Sequence, residues 1–310
     1  MIHLFTKGGI GNQMFQYAYA MQVQKLCKDK RIYVNGIMHS LSSDGRVCGL
    51  HHFALSDPTH ICTPAQSVTM LIQIAVAFIR GMGFFPFVKF LKSYVAFYRK
   101  QGENVTAVGP GVCFTTNYFV SPALEWVKEE NHVYGGFQHT STINGIIDDL
   151  RSAFTIITPA SEANQKMLEE IQAENAVCLH IRRGDYGLFP QLQVCNEAYY
   201  SNAVRQAQAE LENPVFYVFS TGHDDIEWVK KNYSIEGDVR YVDLDNPDYE
   251  ELRLMMACRH FIISNSTFSW WAAVLSAASG DSKRVWAPAE WMREVDVSMI
   301  LEGWTKIDNF

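Results

Sequence analysis

No Cys-x-x-Cys pair occurs in this sequence, although seven cysteines stand at 27, 48, 62, 113, 178, 195 and 258. An odd count without paired spacing excludes a zinc ribbon and disfavours a disulfide framework. Reduced, mostly buried thiols of a cytoplasmic protein are the expectation. A long basic run is also missing, and the net charge is -7, which excludes non-specific nucleic-acid binding as the main function. The N-terminus has no basic stretch leading into an apolar one, as a signal peptide would. Ile2-His3-Leu4-Phe5 runs directly into glycines. No internal repeat or low-complexity tract is visible, and Pro and Gly are near average usage, so bulk disorder and collagen are excluded.

Long apolar runs are scarce. Val68 to Ile79 is almost wholly apolar but stops at Arg80, and Met82 to Tyr98 is cut by Pro86, Lys89 and Lys92. Neither reaches the ~20 residues of a spanning helix. The readings are a helical hairpin packed on its domain or sealing a dimer, or a patch on a membrane surface. In the last, Phe84, Phe85, Phe87 and Phe90 insert, and Lys89, Lys92, Arg99 and Lys100 meet headgroups.

What is present is an α/β pattern. At 310 residues the chain suits two medium domains. Ile2 to Thr6 reads as a strand, Lys7 to Asn12 as a glycine turn, and Met14 to Leu26 as a helix of 3.6-residue period. Arg31 to Val34 is a strand and Asn35 to Pro64 a loop with short elements. The helical insert (66–100) follows, then one or two strands in Gly109 to Val120 and a helix from Thr142 to Phe154. A boundary at Thr155 to Pro159 separates 1–158 from 159–296, with 297–310 a tail that could cross back over a cleft. The second unit opens with a helix to Ala173. Strands at Ala176, Val215, Val239, His260 and Arg284 then alternate with helices, which implies a mostly parallel sheet covered on both faces.

Three motifs carry chemistry. The first is His180-Ile181-Arg182-Arg183-Gly184-Asp185-Tyr186, at the carboxyl end of a strand, where open sheets bind ligands. Adjacent arginines cannot both enter one packed layer, so at least one should face the crevice, where its donor fork can clamp phosphate. His180 could bond a phosphate or ribose, and Asp185 could orient an arginine or meet an acceptor hydroxyl. A surface turn held by an Arg–Asp pair is the plainer reading. The second is Gly8-Gly9-Ile10-Gly11-Asn12-Gln13, a strand–turn–helix junction whose helix amides could meet an anion or sugar oxygen. It is neither GxGxxG nor a P-loop, and a purely structural turn is equally open. The third is Ser264 to Trp271, which follows a strand and starts a helix. There Thr267 is the expected N-cap, amides are available for phosphate, and the paired tryptophans read best as packing. Glu251 opens the preceding helix and could accept from a ribose hydroxyl or a guanine edge, or serve only as a dipole partner.

Together these motifs resemble the α-1,2-fucosyltransferases of glycosyltransferase family 11. The resemblance rests on Gly8 to Tyr17, His180 to Tyr186, Asn265 to Trp271, Ala287-Pro288, and the Gly136-Phe137-Gln138 segment. It spans nearly the whole chain and is weakest over 35–107. Two departures stand out. Thr221-Gly222-His223 separates Phe219-Ser220 from Asp224-Asp225, where members commonly read Phe-Ser-Asp-Asp. His139 follows Gln138, where serine is usual.

The resemblance implies a GT-B type fold, with two facing Rossmann-like domains. The first, with the helical insert, would lie on the acceptor side, and the second would hold GDP-β-L-fucose. It implies inverting transfer to the 2-hydroxyl of a β-galactoside, with no metal and no cofactor beyond the donor. Arg182, Arg183, Asp185 and His180 would be catalytic. Gly9, Gly11, Asn12, Gln13, His180, Arg182, Arg183, Glu251, Asn265, Ser266 and Thr267 would meet the donor, and Gln138, Asp185 and Tyr186 the acceptor. The expected setting is bacterial and cytoplasmic, near the inner membrane, on a surface polysaccharide precursor such as an O-antigen unit. A fucosyltransferase of another acceptor or linkage, and a non-catalytic sugar-binding protein, are the alternatives.

Overall fold

A computed structural model describes residues 1–40, 45–98, 103–278, 282–297 and 299–309, with backbone alone at 40, 96–98 and 185. Arg99 and Lys100, named above, lie outside the described residues. The chain divides into two compact units, Met1–Ile157 and Thr158–Phe310.

The first unit contains β1 (Ile2–Phe5), α1 (Ile10–Leu26), β2 (Ile32–Asn35), α2 (Ile37–Ser40), β3 (Thr59–Ile61), α3 (Pro64–Met82), α4 (Phe84–Tyr98), β4 (Thr106–Gly109), β5 (Val112–Thr115), β6 (Asn131–Tyr134) and α5 (Ile147–Ala153). Its sheet has the order β3-β2-β1-β6-β5-β4 and is parallel except for the β4–β5 pair. The chain moves outward from β1 to β3, then returns on the other side of β1. The strand order therefore reverses between β1 and β6. Helix α1 is buried along most of its length because Tyr17, Tyr19, Ala18 and Met21 pack inward.

The second unit contains α6 (Glu162–Ala173), β7 (Ala176–His180), α7 (Glu197–Glu210), β8 (Val215–Phe219), α8 (Gly222–Asn232), β9 (Asp238–Tyr241), α9 (Asp248–Ala257), β10 (His260–Ile262), α10 (Thr267–Leu275), β11 (Val285–Pro288) and β12 (Thr305–Ile307). Its sheet order is β12-β11-β10-β7-β8-β9, and every pair is parallel. Strands β7 and β8 are wholly buried, as expected of hydrophobic runs covered on both faces. Here the order reverses between β7 and β10. Each unit is thus an open, Rossmann-like α/β sheet.

Several sequence expectations are corrected. Helix α1 begins at Ile10, a turn before Met14, because Gly9 serves as its N-cap in extended backbone. The segment over 35–64 is, as expected, loop with short elements, among them α2 and the three-residue β3. Strand β6 (NHVY) reads as polar yet is fully buried; Asn131 is satisfied by the Lys128 backbone at 2.7 and 2.8 Å. The helix expected from Thr142 is a 3-10 turn followed by α5, broken at Gly145 with φ +69°. Ser266, not Thr267, caps α10, accepting from the Phe268 amide at 3.3 Å. The tail does not stand apart from the second sheet: residues 305–307 add its edge strand.

Candidate functional site

Both sheets place their motifs at the carboxyl ends of strands flanking the reversal, the position where open α/β sheets bind ligands. In the second unit, His180 ends β7 and Ser264 follows β10. The Ser264 hydroxyl and His180 Nδ1 are 2.9 Å apart and bridge the two strands across the reversal. Burial, aided by the charge of Arg182, lowers the His180 pKa to about 3. His180 is therefore a neutral hydrogen-bonding group near pH 7.

The arginines leave β7 toward β8 and α8. Arg182 donates from Nη1 to the Thr221 hydroxyl at 2.9 Å, and its guanidinium lies 5.1 Å from the centre of the Tyr186 ring. Arg183 lies over the Trp228 ring at 3.3 Å and donates from Nε to Asp225 at 3.3 Å. The other Asp225 oxygen accepts from the Gly184 amide at 3.0 Å. Gly184 has φ +45°, a conformation that turns the loop back so that its amide meets that carboxylate. Asp225 and Trp228, three apart on one face of α8, thus form the seat of Arg183.

The departure at Thr221-Gly222-His223 acquires a role from this geometry. Gly222 has φ +74° and starts α8, so the extra residues form the entry and first turn of the helix. They bring Thr221 to Arg182 and Asp225 to Arg183. Sequence reasoning missed Thr221, Asp225 and Trp228 as the supports of the arginines. The signal available was the Asp–Trp spacing on a helix following the neighbouring strand.

Other expected ligand groups are turned inward. Asn265 is buried, and its amide donates to the carbonyls of Leu192 and Trp291 at 2.9 and 3.0 Å. Its side-chain amide is a staple between loops. Ser266 is the buried cap, and Thr267 is half-buried in the first turn of α10. The Tyr186 hydroxyl donates to the Asn265 carbonyl at 3.1 Å and so joins two strand-end loops. Asp185 lies in the 3-10 turn Gly184–Leu188, and its side chain lies outside the described residues. Paired Trp270 and Trp271 are fully buried, as the packing reading expects.

Glu251, in the first turn of α9, lines a small cavity of about 40 Å³ with Ser220, Gly222, Val242 and Asp243 at the ends of β8 and β9. A larger hollow of about 510 Å³, lined by Asn175, Glu210 and Arg259, lies at the amino ends of the strands, away from the motifs. Burial, reinforced by Asp248 and opposed by Arg182, raises the Glu251 pKa to about 8. The folded protein therefore holds this proton more tightly than the unfolded chain. Its stabilising contribution is complete below about pH 4.5 and is lost as pH rises through 8. Glu251→Gln is expected to raise the melting temperature relative to the parent more at pH 9 than at pH 5; an equal difference at both pH values would contradict the assignment.

In the first unit, the glycine turn is held from inside. Gln13 is buried; its amide donates to the Gly8 and Val47 carbonyls, each at 2.9 Å, and its oxygen accepts from the Gly49 amide at 2.9 Å. Gln13 thus braces the turn from inside, and Gly11 is buried in α1. Asn12 Oδ1 accepts from Gln138 at 3.1 Å, which joins the ends of β1 and β6 across the reversal. Gly8 has φ +82°, and a Cβ there would lie 2.7 Å from Asn12. A Cβ on Gly9 would lie 3.0 Å from the Arg46 guanidinium, so Arg46 is a cation at this turn that sequence reasoning missed. His139 caps the next turn, its Nδ1 accepting from the Ser141 amide at 3.1 Å, so it does the work a serine would do.

Two groups have metal-type side chains close together among the described residues: His3, Glu130 and His132, and His223, Glu227 and Asp243. The first stands near the amino ends of β1 and β6, away from the motifs. The second is largely exposed, although Asp243 also lines the small cavity.

A strand-order reversal carrying paired arginines, a neutral histidine and helix-terminal amides defines an α/β enzyme site suited to a phosphate-bearing ligand. The chain belongs to glycosyltransferase family 11, whose model matches residues 122–308, and it is a glycosyltransferase. It is 29% identical to an alpha-1,2-colitosyltransferase of Escherichia coli over 97% of both chains. It is 25% identical to the O-antigen biosynthesis glycosyltransferase WbnK of Escherichia coli, over 97% of this chain and 98% of the other. It is 31% identical to the galactoside alpha-(1,2)-fucosyltransferase 1 of Saimiri boliviensis boliviensis, over 51% of this chain and 48% of that one.

Proposed function

We propose that this enzyme transfers L-fucose from GDP-β-L-fucose to the 2-hydroxyl of a β-galactoside, with inversion, in building a surface polysaccharide. The observation that carries the reading is the pair of seated arginines at the reversal of the second sheet. In-line displacement develops positive charge on the sugar ring and negative charge on the departing β-phosphate. Arg182, Arg183 and the first amides of α10 meet that charge, and His180 adds a neutral hydrogen bond. Glu251 and its cavity suit the nucleoside end, where a carboxyl that is mostly protonated near pH 7 can donate through its O–H and accept at its other oxygen. The acceptor proton is assigned to Asp185 from its place in the motif, and Gln138, which donates to Asn12, is assigned to the acceptor face.

The α-1,2-colitosyl relative supports a second donor. Colitose is L-fucose without its 3-hydroxyl, so the two donors differ by one oxygen. Incubation with GDP-fucose and GDP-colitose in competition, over a panel of β-galactosides, with product linkage read by NMR, tests both. An α-1,2-fucosyl product is the expected result. Exclusive use of the colitosyl donor, another linkage, or GDP-sugar binding without turnover would each replace the reading.

We also propose that no metal takes part and that the enzyme works on the cytoplasmic side of a bacterial membrane. The arginines supply the positive charge a divalent ion would otherwise bring. Turnover is expected to survive saturating EDTA. Loss on chelation, restored by Mn²⁺ or Mg²⁺ but not in a His223→Ala variant, would move the phosphate chemistry to the His223, Glu227 and Asp243 group.

A further inference from the structure

Helices α3 and α4 form a hairpin on the first unit. A capping box starts α3: the Thr63 side chain accepts from the Gln66 amide while Gln66 reaches back to the Thr63 amide, and Pro64 occupies the first turn. By length and composition α3 could cross a membrane, at 19 residues, which corrects the shorter run read from the sequence. Its inner face is already used. Met70 packs with Phe5 and Tyr134, and Phe78 with Ala107, Val112 and Phe114. A helix with one face seated on the sheet suits a position in the plane of an interface better than a spanning one.

The outer face is different. Val68, Ile72 and Val76 recur every four residues and are exposed, Ile72 by 65%. At the hairpin turn α4 opens with Phe84 and Phe85, exposed by 59% and 84%, and continues outward with Leu91 and Val95. Exposed Arg80 precedes that turn, and exposed Lys89 and Lys92 follow it. The charge pattern is one-sided. From Pro58 to Gly102 the sequence has no Asp or Glu, although the whole chain has 33, and it carries Arg80, Lys89, Lys92, Arg99 and Lys100.

We infer that this hairpin face docks the enzyme on an anionic lipid bilayer, lying in the plane of the interface. Phe84 and Phe85 enter the acyl boundary while the neighbouring cations meet headgroups, with the lysine stems covering apolar surface. The net charge of -7 repels an anionic membrane overall, so a local acid-free, cationic face is what such docking requires. The same charges disfavour a second copy as the occupant. A symmetric contact of two such faces would set cation against cation.

The test is flotation of the full chain with vesicles of phosphatidylglycerol and phosphatidylethanolamine, and with phosphatidylcholine alone. Two folded double variants accompany it: Phe84→Ser with Phe85→Ser, and Lys89→Glu with Lys92→Glu. The intact protein is expected to float with the anionic vesicles, and each double variant to bind them roughly tenfold or more weakly. The inference falls if the intact protein stays at the bottom, floats equally with both vesicle types, or is matched by the phenylalanine variant. It also falls if sedimentation shows a dimer that this variant dissolves while flotation is absent.

Discussion

Replacing Arg182 by alanine is expected to lower turnover more than ~100-fold while the protein stays folded. A charge-assisted clamp on a departing phosphate in a water-poor site contributes roughly 3 kcal/mol. Arg182 stands at the reversal of the sheet, where its charge acts on both His180 and Glu251. Arg183 is paired with Asp225 and lies over the Trp228 ring, so part of its charge is already met. Arg183→Ala should therefore loosen the loop and lower turnover less than Arg182→Ala does. Lysine at 182 is not expected to restore the rate, because an ammonium lacks the planar fork. Thr221→Ala, which removes the 2.9 Å partner of Arg182, should lower kcat by several-fold with little change in unfolding. Steady-state kinetics on GDP-fucose, with circular dichroism as the folding control, checks the series. Near-normal turnover in folded Arg182→Ala and Arg183→Ala would remove both from the chemistry.

The largest stability effect is expected at Trp270. Its ring is fully buried, meets Trp271 edge-on at 5.0 Å, and its indole N–H donates to the Met299 carbonyl at 2.6 Å. Trp270→Ala removes one of the largest buried side chains and should cost about 3–5 kcal/mol in urea unfolding of the second unit. Trp270→Phe keeps most of the packing but orphans the Met299 carbonyl, and should cost less. Should Trp270→Ala unfold like the parent but bind GDP poorly, the tryptophan would be a ligand contact instead of a core residue.

Much of this was legible in one dimension. Strands β7 and β8 are short apolar runs ending in motif residues, and a run of that kind in an alternating βα pattern leaves little choice but a buried parallel strand. The glycine turn, the arginine pair and the Ser-rich helix start were all recognised as strand-end features. Strand β6 was not legible, because Asn131 and His132 look like loop residues. Met1 and Lys128 satisfy the buried Asn131 side chain, and the His132 ring stacks on His3 at 4.7 Å. Gln13 and Asn265 looked like ligand residues because an amide in a motif offers donors and acceptors. The sequence does not say whether those groups face a ligand or the protein's own carbonyls.

The sequence by itself determined the family, the alternation of strands and helices, and the residue types available for phosphate and hydroxyl chemistry, since these depend on local pattern and side-chain identity. Tertiary structure decided which of those groups are still offered outward. It seated Arg183 on Asp225 and Trp228, spent Asn265 and Gln13 on loops, and set Glu251 beside Arg182 where burial raises its pKa to about 8. Those outcomes depend on neighbours distant in the chain, which the parallel pairing of strands brings together and which no local window contains.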